Sequence, residues 1–306
     1  MQTSNRVLVA GAINTDLVAR VQRAPEAGQT ITGRTFGVFG GGKGANQALA
    51  SARSGSTTAF LGALGRDDFG TQRLADLGKD LIHTDFVHVR DDAPSGVALI
   101  TVEEASGQNR IAYIPGATMT VTEDEARAAV GSFRPSIVLT TLELPAKAIG
   151  AMIETAKEQG AKVILNATPE PGSGRQHLRN VDVVIANETE ALGLLRLTIA
   201  PRSWLEAAKR LTELGPQVVI ITLGKQGAIA LVNGAPVTVP APVVQPIDTT
   251  GAGDALSGAF ASALAAGLNA EQALKRGVAA GSAACLIEGA QRSMPTTEQI
   301  DRFLLR

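Results

Sequence analysis

Asp248-Thr249-Thr250-Gly251-Ala252-Gly253-Asp254 sets two glycines between two carboxylates, and it runs straight into a helix with almost no polar surface. Ala255/Leu256, Ala259/Phe260, Ala263/Leu264 and Gly267/Leu268 recur every four positions, the pattern of a helix buried nearly all round. The first turn of any helix leaves backbone N–H groups without intrahelical partners, and the helix dipole adds positive charge there. Gly251, Ala252 and Gly253 therefore present amides suited to an anion such as phosphate. Asp254 stands beside them, ionised at neutral pH with an unperturbed carboxylate pKa of about 4. It can accept a hydroxyl proton as the oxygen attacks phosphorus, general-base help worth roughly 10²–10⁴-fold. The amides would stabilise charge on the transferring group. The plainer alternative is that Asp254 only caps its helix.

A second glycine run, Gly40-Gly41-Gly42-Lys43-Gly44-Ala45-Asn46, precedes another helical pattern. With Gly37 it comes within one residue of a P-loop, but Gly44 stands where that motif needs Ser or Thr. The dinucleotide fingerprint also fails, because Leu256 occupies the place of its third glycine. Successive glycines cost backbone entropy, so they point to close approach of a ligand, and Lys43 and Asn46 can hydrogen-bond its hydroxyls. A tight strand-to-helix turn with a solvated lysine is the simpler account. Asn14 and Asp16 follow the first apolar run and share one side of a strand. One amide with one carboxylate suits vicinal sugar hydroxyls, although Asn and Asp are also common at strand-end turns. Glu143 closes another apolar run. Asn187-x-x-Glu190 has capping-box spacing, and its carboxylate can also hold magnesium through water.

Strand-like runs at Arg6–Ala12, Thr57–Ala63, Ser136–Leu142, Lys162–Asn166, Asp182–Ala186 and Gln217–Leu223 must position these groups. They alternate with helical patterns near Gly44–Arg53, Phe69–Lys79, Pro145–Gln159 and Ser203–Leu214, and two further helices are expected at Glu271–Ile287 and Thr296–Leu305. This alternation predicts an α/β fold with a doubly wound, mainly parallel sheet whose ligands sit at the carboxyl ends of the strands. Two stretches break the rhythm. Asp16–Val21 with Thr30–Phe39, and Gly96–Glu103 with Asn109–Pro115 turning at Ala105-Ser106-Gly107, read as β pairs. They form either a small β-sheet lid or an extension of the main sheet. Residues 1–306 are expected to make one domain, with lid insertions at about 15–39 and 95–116.

The 306 residues carry a net charge of −1, which gives no electrostatic support for a nucleic-acid or membrane-surface partner. A hydrophobic content of 44% describes a chain with a large core. The single cysteine, Cys285, excludes an internal disulfide framework. The apolar run Val7–Ile13 is too short to span a membrane and has no cleavage context, so a cytoplasmic location is expected. His83, His88 and His177 show no metal or triad spacing and are expected at the surface.

Taken together, GGKGANQA at Gly41–Ala48 and DTTGAGD at Asp248–Asp254 closely resemble the two signatures of the ribokinase-like (PfkB-type) carbohydrate kinase family. The resemblance extends through Asn187-Glu188-Thr189-Glu190 and Thr222-Leu223-Gly224-Lys225-Gln226-Gly227. Asn14-Thr15-Asp16, Gly96–Ile100 and Gly289-Ala290-Gln291 are most similar to the members that phosphorylate ribose. The resemblance implies an ATP-dependent enzyme acting on the 5-hydroxyl of D-ribose, with Asp254 as base and Gly251, Ala252 and Gly253 as anion hole. It implies that Asn14, Asp16, Gly42, Lys43, Asn46 and Glu143 hold the pentose. ATP would meet Asn187, Gly253 and the Thr222, Leu223, Gly224, Lys225, Gln226, Gly227 turn, with Glu190 near Mg²⁺. A K⁺ site is also implied, from the side chains of Asp248 and Ser293 and the carbonyls of Thr250, Ala284, Ile287 and Gly289. The lid would further serve as a homodimer interface.

Two departures accompany this likeness. Arg292 stands where proline is usual, and Leu192–Pro201 lacks a Leu-Thr-Gly ending. Phe36, Phe39 and Tyr113 offer little aromatic surface to stack a nucleobase, which disfavours a nucleoside substrate. 2-Deoxyribose and fructose remain as alternative sugars, and a non-catalytic sugar sensor is the alternative from another class. A nicotinamide dehydrogenase rests only on the α/β pattern and the glycines.

Overall fold

The apolar runs assemble into a nine-stranded sheet between two helical layers, and the chain also forms a separate four-stranded sheet. A computed structural model describes residues 5–104 and 106–305. The strands are β1 (Arg6–Ala10), β2 (Asn14–Val21), β3 (Thr35–Gly41), β4 (Thr57–Gly65), β5 (Val87–Arg90), β6 (Gly96–Glu103), β7 (Asn109–Ile114), β8 (Ile137–Thr140), β9 (Lys162–Asn166), β10 (Val183–Asn187), β11 (Val218–Thr222), β12 (Ala228–Val232) and β13 (Ala235–Val239). The helices are α1 (Lys43–Arg53), α2 (Asp68–Lys79), α3 (Glu123–Phe133), α4 (Ala146–Glu158), α5 (Pro171–Gly174), α6 (Glu188–Leu195), α7 (Trp204–Thr212), α8 (Ala252–Ala265), α9 (Ala270–Ala284), α10 (Ala290–Ser293) and α11 (Thr297–Leu304).

The main sheet has the order β13-β12-β11-β10-β9-β8-β1-β4-β5. All neighbours run parallel except β11–β12 and β12–β13. Along β1, Val7 and Val9 pack with α1, α8 and α9, while Leu8 and Ala10 pack with α3, α4 and α7. Cover on both faces explains why these strands read as unbroken apolar runs. Strand order reverses between β1 and β8, so their carboxyl ends open the crevice where such sheets bind ligands. α8 crosses α1 closely: a Cβ on Gly258 would stand 2.5 Å from the Gln47 carbonyl oxygen. From Asp254 to Ala263, every α8 residue is buried.

The second sheet, ordered β3-β2-β6-β7, unites the two insertions. Each forms an antiparallel pair, and parallel pairing of β2 with β6 joins them from Asn14–Gly96 to Val21–Glu103. The strand expected to start at Thr30 begins at Thr35 and runs on to Gly41. Ala105, at the expected turn, lies outside the described residues. One sheet face is apolar and open: Phe36, Val38 and Leu99 share it by register and are each about 40% exposed or more. Strands β5, β12 and β13 and helix α3 add elements that periodicity did not separate from loops. His177 corrects the surface expectation: it is buried beside Gly150 of α4, and burial lowers its pKa. Among the described residues no helix is long and apolar enough to cross a membrane.

Candidate active site

Two glycine-led helix entrances face each other at the switch point. α1 starts on Gly42 (φ 91°) and α8 on Gly251 (φ 80°), both in backbone conformations that L side chains resist, and neither has a side-chain cap. A Cβ on Gly42 would lie 2.4 Å from the Ala12 carbonyl oxygen, so this turn admits only glycine.

Glu143 fills the α1 entrance from the end of β8. Its Oε2 accepts from Ala12 N (2.8 Å), Gly44 N (3.0 Å) and Thr141 Oγ1 (2.9 Å). Its Oε1 accepts from Lys43 N at 3.2 Å. The carboxylate thereby ties β1, β8 and α1 together. Burial pushes its pKa up against the pull of these donors.

Asp254 occupies the first turn of α8 and is 7% exposed. Oδ2 accepts from Asn46 Nδ2 and Oδ1 from Gln47 Nε2, each at 2.9 Å. Burial raises its pKa, while the Lys43 ammonium and the two amides oppose the rise. Gln47 was not singled out by its sequence position, although it sits inside the same glycine-rich signature. The oxygens Asn14 Oδ1 and Asn46 Oδ1 are buried without partners, leaving acceptors for ligand hydroxyl groups.

Asn14 and Asp16 reach the crevice from β2, each into space left by a glycine. Asn14 Oδ1 would lie 2.5 Å from a Cβ on Gly96, and the Asp16 carboxylate 2.3 Å from one on Gly41. Burial raises the Asp16 pKa to about 6; Arg73 pulls it down and Glu143 pushes it up.

Across Asp254 opens a cavity of about 210 Å³, lined by Lys43, Asn187, Glu190, Thr222, Gly251 and Gly253 among others. Asn187 and Glu190 form a full capping box: Glu190 N donates to Asn187 Oδ1, and Asn187 N to Glu190 Oε2, both at 2.8 Å. Burial raises the Glu190 pKa, with the Asn187 amide opposing. Lys43 links the two halves of the site. Burial works against its charge, but Asp254, Glu143 and Glu190 outweigh burial and raise its pKa. Asn166 and Thr168, which the sequence did not assign to the site, also line the cavity, and Asn166 Nδ2 donates to Ser257 Oγ at 2.9 Å. Of the turn after β11, Thr222 lines the cavity and Leu223 is half-buried, whereas Gly224, Lys225 and Gln226 stand exposed. Gly227 packs under Val239, where a Cβ would meet the carbonyl oxygen at 2.1 Å.

The structure gathers the residues of the K⁺ expectation behind the α8 entrance. Asp248 accepts from Thr250 N (2.9 Å), Thr250 Oγ1 (2.7 Å) and Gly289 N (2.9 Å). Burial would raise its pKa, but these hydrogen bonds outweigh burial and hold it below the ordinary value. Ile247 N and Asp248 N both donate to the Cys285 carbonyl, which docks this loop on the C-terminus of α9. The buried Ser293 Oγ donates to Ala290 O and keeps its lone pairs. The carbonyls at this helix end accept from Ile287 N at Ala284 O and from Ser293 N at Gly289 O, which leaves each oxygen a further lone pair. With one carboxylate and a hydroxyl they form an all-oxygen donor set that fits a hard monovalent cation. For Mg²⁺ the cavity offers the Glu190 carboxylate, consistent with an ion held largely through water and phosphates.

Residues 4–297 match the model of the pfkB family of carbohydrate kinases. The chain is 35% identical over 303 residues to ribokinase of Staphylococcus aureus, covering 98% of this chain and 99% of that protein. It is 32% identical over 301 residues to deoxyribokinase of Salmonella typhi, covering 97% and 98% respectively. The structure of Arabidopsis thaliana ribokinase complexed with ribose and ATP superposes with a TM-score of 0.87 at 30% identity, covering 97% of this chain and 98% of that one. With its two glycine-led entrances meeting over a buried aspartate, the chain belongs to the pfkB family of carbohydrate kinases.

Proposed function

We propose that this chain transfers the γ-phosphoryl group of ATP to the 5-hydroxyl of D-ribose, giving D-ribose 5-phosphate and ADP. The observation that carries the reading is Asp254, a buried carboxylate aimed by Asn46 and Gln47 at an uncapped helix entrance. In this reading Asp254 takes the proton of the primary hydroxyl as its oxygen attacks phosphorus. The amides of Gly251, Ala252 and Gly253 hold the negative charge of the transferring group. Asn14, Asp16 and Asn46 bind the other hydroxyls, and Gly42, Lys43 and Glu143 shape the same pocket. Asn187, Glu190 and Thr222 face the nucleotide, with the Leu223–Gly227 turn at its rim. Mg²⁺ near Glu190 would neutralise phosphate charge, and K⁺ between Asp248 and Ser293 would fix the anion hole from behind.

We assign the four-stranded sheet to a lid over the sugar within one catalytic domain, and its open apolar face to a homodimer contact in a cytoplasmic enzyme. The relative that acts on deoxyribose makes 2-deoxyribose the nearest alternative sugar. ADP release measured across ribose, deoxyribose, fructose and nucleosides, with K⁺ exchanged for Na⁺, tests the assignment. Ribose should be the fastest substrate and K⁺ the better cation. Ribose inert beside an active fructose or nucleoside would overturn the substrate, and equal rates in Na⁺ would remove the cation site. Ribose binding without any ADP formed would turn the chain into a sensor.

A further inference from the structure

Asn166 ends β9 and is nearly buried, and Ser257, in the second turn of α8, has no exposed surface. Asn166 Nδ2 donates to Ser257 Oγ at 2.9 Å, and Ser257 Oγ donates to the Gly253 carbonyl, also at 2.9 Å. A serine hydroxyl has one proton. Because Asn166 brings a donor, the hydroxyl accepts there and its proton is left for Gly253. A serine bonded to the carbonyl four residues back is common in helices. What sets this one apart is the second anchor, an asparagine 91 residues away on the sheet. The grip falls on a segment with little stiffness of its own. α8 enters through Gly251 and Gly253 without a side-chain cap, and glycines hold backbone direction poorly. The Gly253 carbonyl and the Asp254 N–H belong to one planar peptide unit. Ala255 N donates to the Gly251 carbonyl at 2.8 Å, but among the described residues the amides of Gly253 and Asp254 have no protein acceptor. The Asp254 side chain is fixed separately, by Asn46 and Gln47 of α1. The carboxylate is thus held from a helix layer and its peptide from the sheet.

We propose that Asn166 and Ser257 are positioning residues for phosphoryl transfer, a strut from the end of β9 that holds the Gly253–Asp254 peptide with its free amide turned to the incoming group. This rests on the assignment of the α8 entrance as the anion hole. Donors stabilise a transition state best when they are already in place and need no reorganisation. Asn166 also lines the nucleotide cavity, so it has a route of its own to the nucleotide. Ser257 is fully buried and touches neither substrate, so its contribution passes through Gly253.

The experiment measures kcat, KM for ribose and KM for ATP. Calorimetry adds the affinity for ADP alone and for ADP with aluminium fluoride, both in the presence of ribose. Aluminium fluoride stands in for the transferring phosphoryl group, so it reads the anion hole directly. The variants are Ser257→Ala, Asn166→Ala, the two combined, and Gly253→Ala as a control. Ser257→Ala should lower kcat and the affinity for ADP with aluminium fluoride by about tenfold each, the low end for partners that act through another group. Its KM values and its affinity for ADP alone should stay within about twofold of wild type, because the strut acts on the transition state. Asn166→Ala should show a comparable loss of kcat. The double variant should lose no more than either single one, since each change breaks the same strut.

Wild-type kcat and wild-type affinity for ADP with aluminium fluoride in Ser257→Ala overturn the proposal, and that variant decides alone should Asn166→Ala not fold. Equal weakening of ADP and of ADP with aluminium fluoride in Ser257→Ala assigns the serine to packing and overturns it too. Losses that multiply in the double variant mean two independent contacts and no strut. If Gly253→Ala leaves the affinity for ADP with aluminium fluoride unchanged, the anion hole itself falls and takes this inference with it. If Gly253→Ala weakens that affinity while Ser257→Ala does not, only the strut falls.

Discussion

The entrances of α1 and α8 share one local design and serve different ends. Each helix starts on a glycine at positive φ, lacks a side-chain cap and points its first amides at the switch point. At α1 those amides end on a carboxylate of the protein itself, Glu143, which reaches Ala12, Lys43 and Gly44. At α8, among the described residues, no carboxylate takes that place. Gly253 is exposed, and a Cβ added to it would meet nothing within 4 Å. A glycine-led helix start is thus only half of an anion site. What distinguishes a structural anchor from a reaction centre is whether the fold supplies the anion.

The sharpest way to break the comparison is Asp254→Asn. The substitution keeps the shape and removes the base, so kcat should fall by roughly 10²–10⁴-fold while ribose affinity by calorimetry stays near wild type. Wild-type turnover should fall as pH drops through the Asp254 pKa, which burial has raised above the ordinary carboxylate value, and the variant should lose that dependence. Near-normal turnover in Asp254→Asn would leave α8 with a cap and no base.

Smaller in effect, and more specific, is a pair of alanines at α8. In Gly253→Ala the new methyl touches no protein atom, so thermal stability should hold. The methyl would project where the transferring phosphoryl is proposed to sit, and a displacement of that kind costs about 10²-fold in turnover. Gly251→Ala should lower stability, and turnover with it, because the strain falls on an amide of the proposed anion hole. Its φ of 80° is strained for alanine, by about 1–2 kcal/mol, and the Met294 methyl would stand 2.8 Å away. Unfolding midpoints and kcat, measured on both, separate the two roles. Gly253→Ala with full activity would mean that the space above it stays empty during the reaction.

These differences were only partly legible in the sequence. The signature at Asp248–Asp254 and the apolar periodicity of α8 marked a buried helix with free amides, because both depend on local pattern. The main strands were legible for the same reason. Nothing local told that Glu143 would spend its oxygens on three backbone amides 99 to 131 residues away, since that contact exists only once β1 and β8 lie side by side. Gln47 escaped notice likewise: its amide meets Asp254 because α1 crosses α8, a tertiary fact. Other omissions had signals. Asn233-Gly234, both at positive φ, make the turn of the β12–β13 hairpin, and Thr122 with Glu125 caps α3. β5, four residues with a histidine and an arginine, offered no such pattern.

Glu143→Gln tests the α1 side with the smallest expected loss. The glutamine oxygen can occupy the Oε2 position, which receives three of the donors. Its NH₂ then faces the Lys43 N–H, donor against donor, and that half-buried amide loses its acceptor. Such a loss costs about 1–3 kcal/mol, to be read as a lower denaturation midpoint at unchanged m-value. Removing the charge also removes one of the influences that raise the Asp16 pKa, so the acid limb of kcat/KM for ribose should move down. Turnover at saturating ribose should stay within about tenfold of wild type, because a carboxylate serving as an anchor contributes geometry rather than proton transfer. If instead stability holds while kcat collapses as in Asp254→Asn, Glu143 takes part in the chemistry, and the two entrances differ in substrate rather than in purpose.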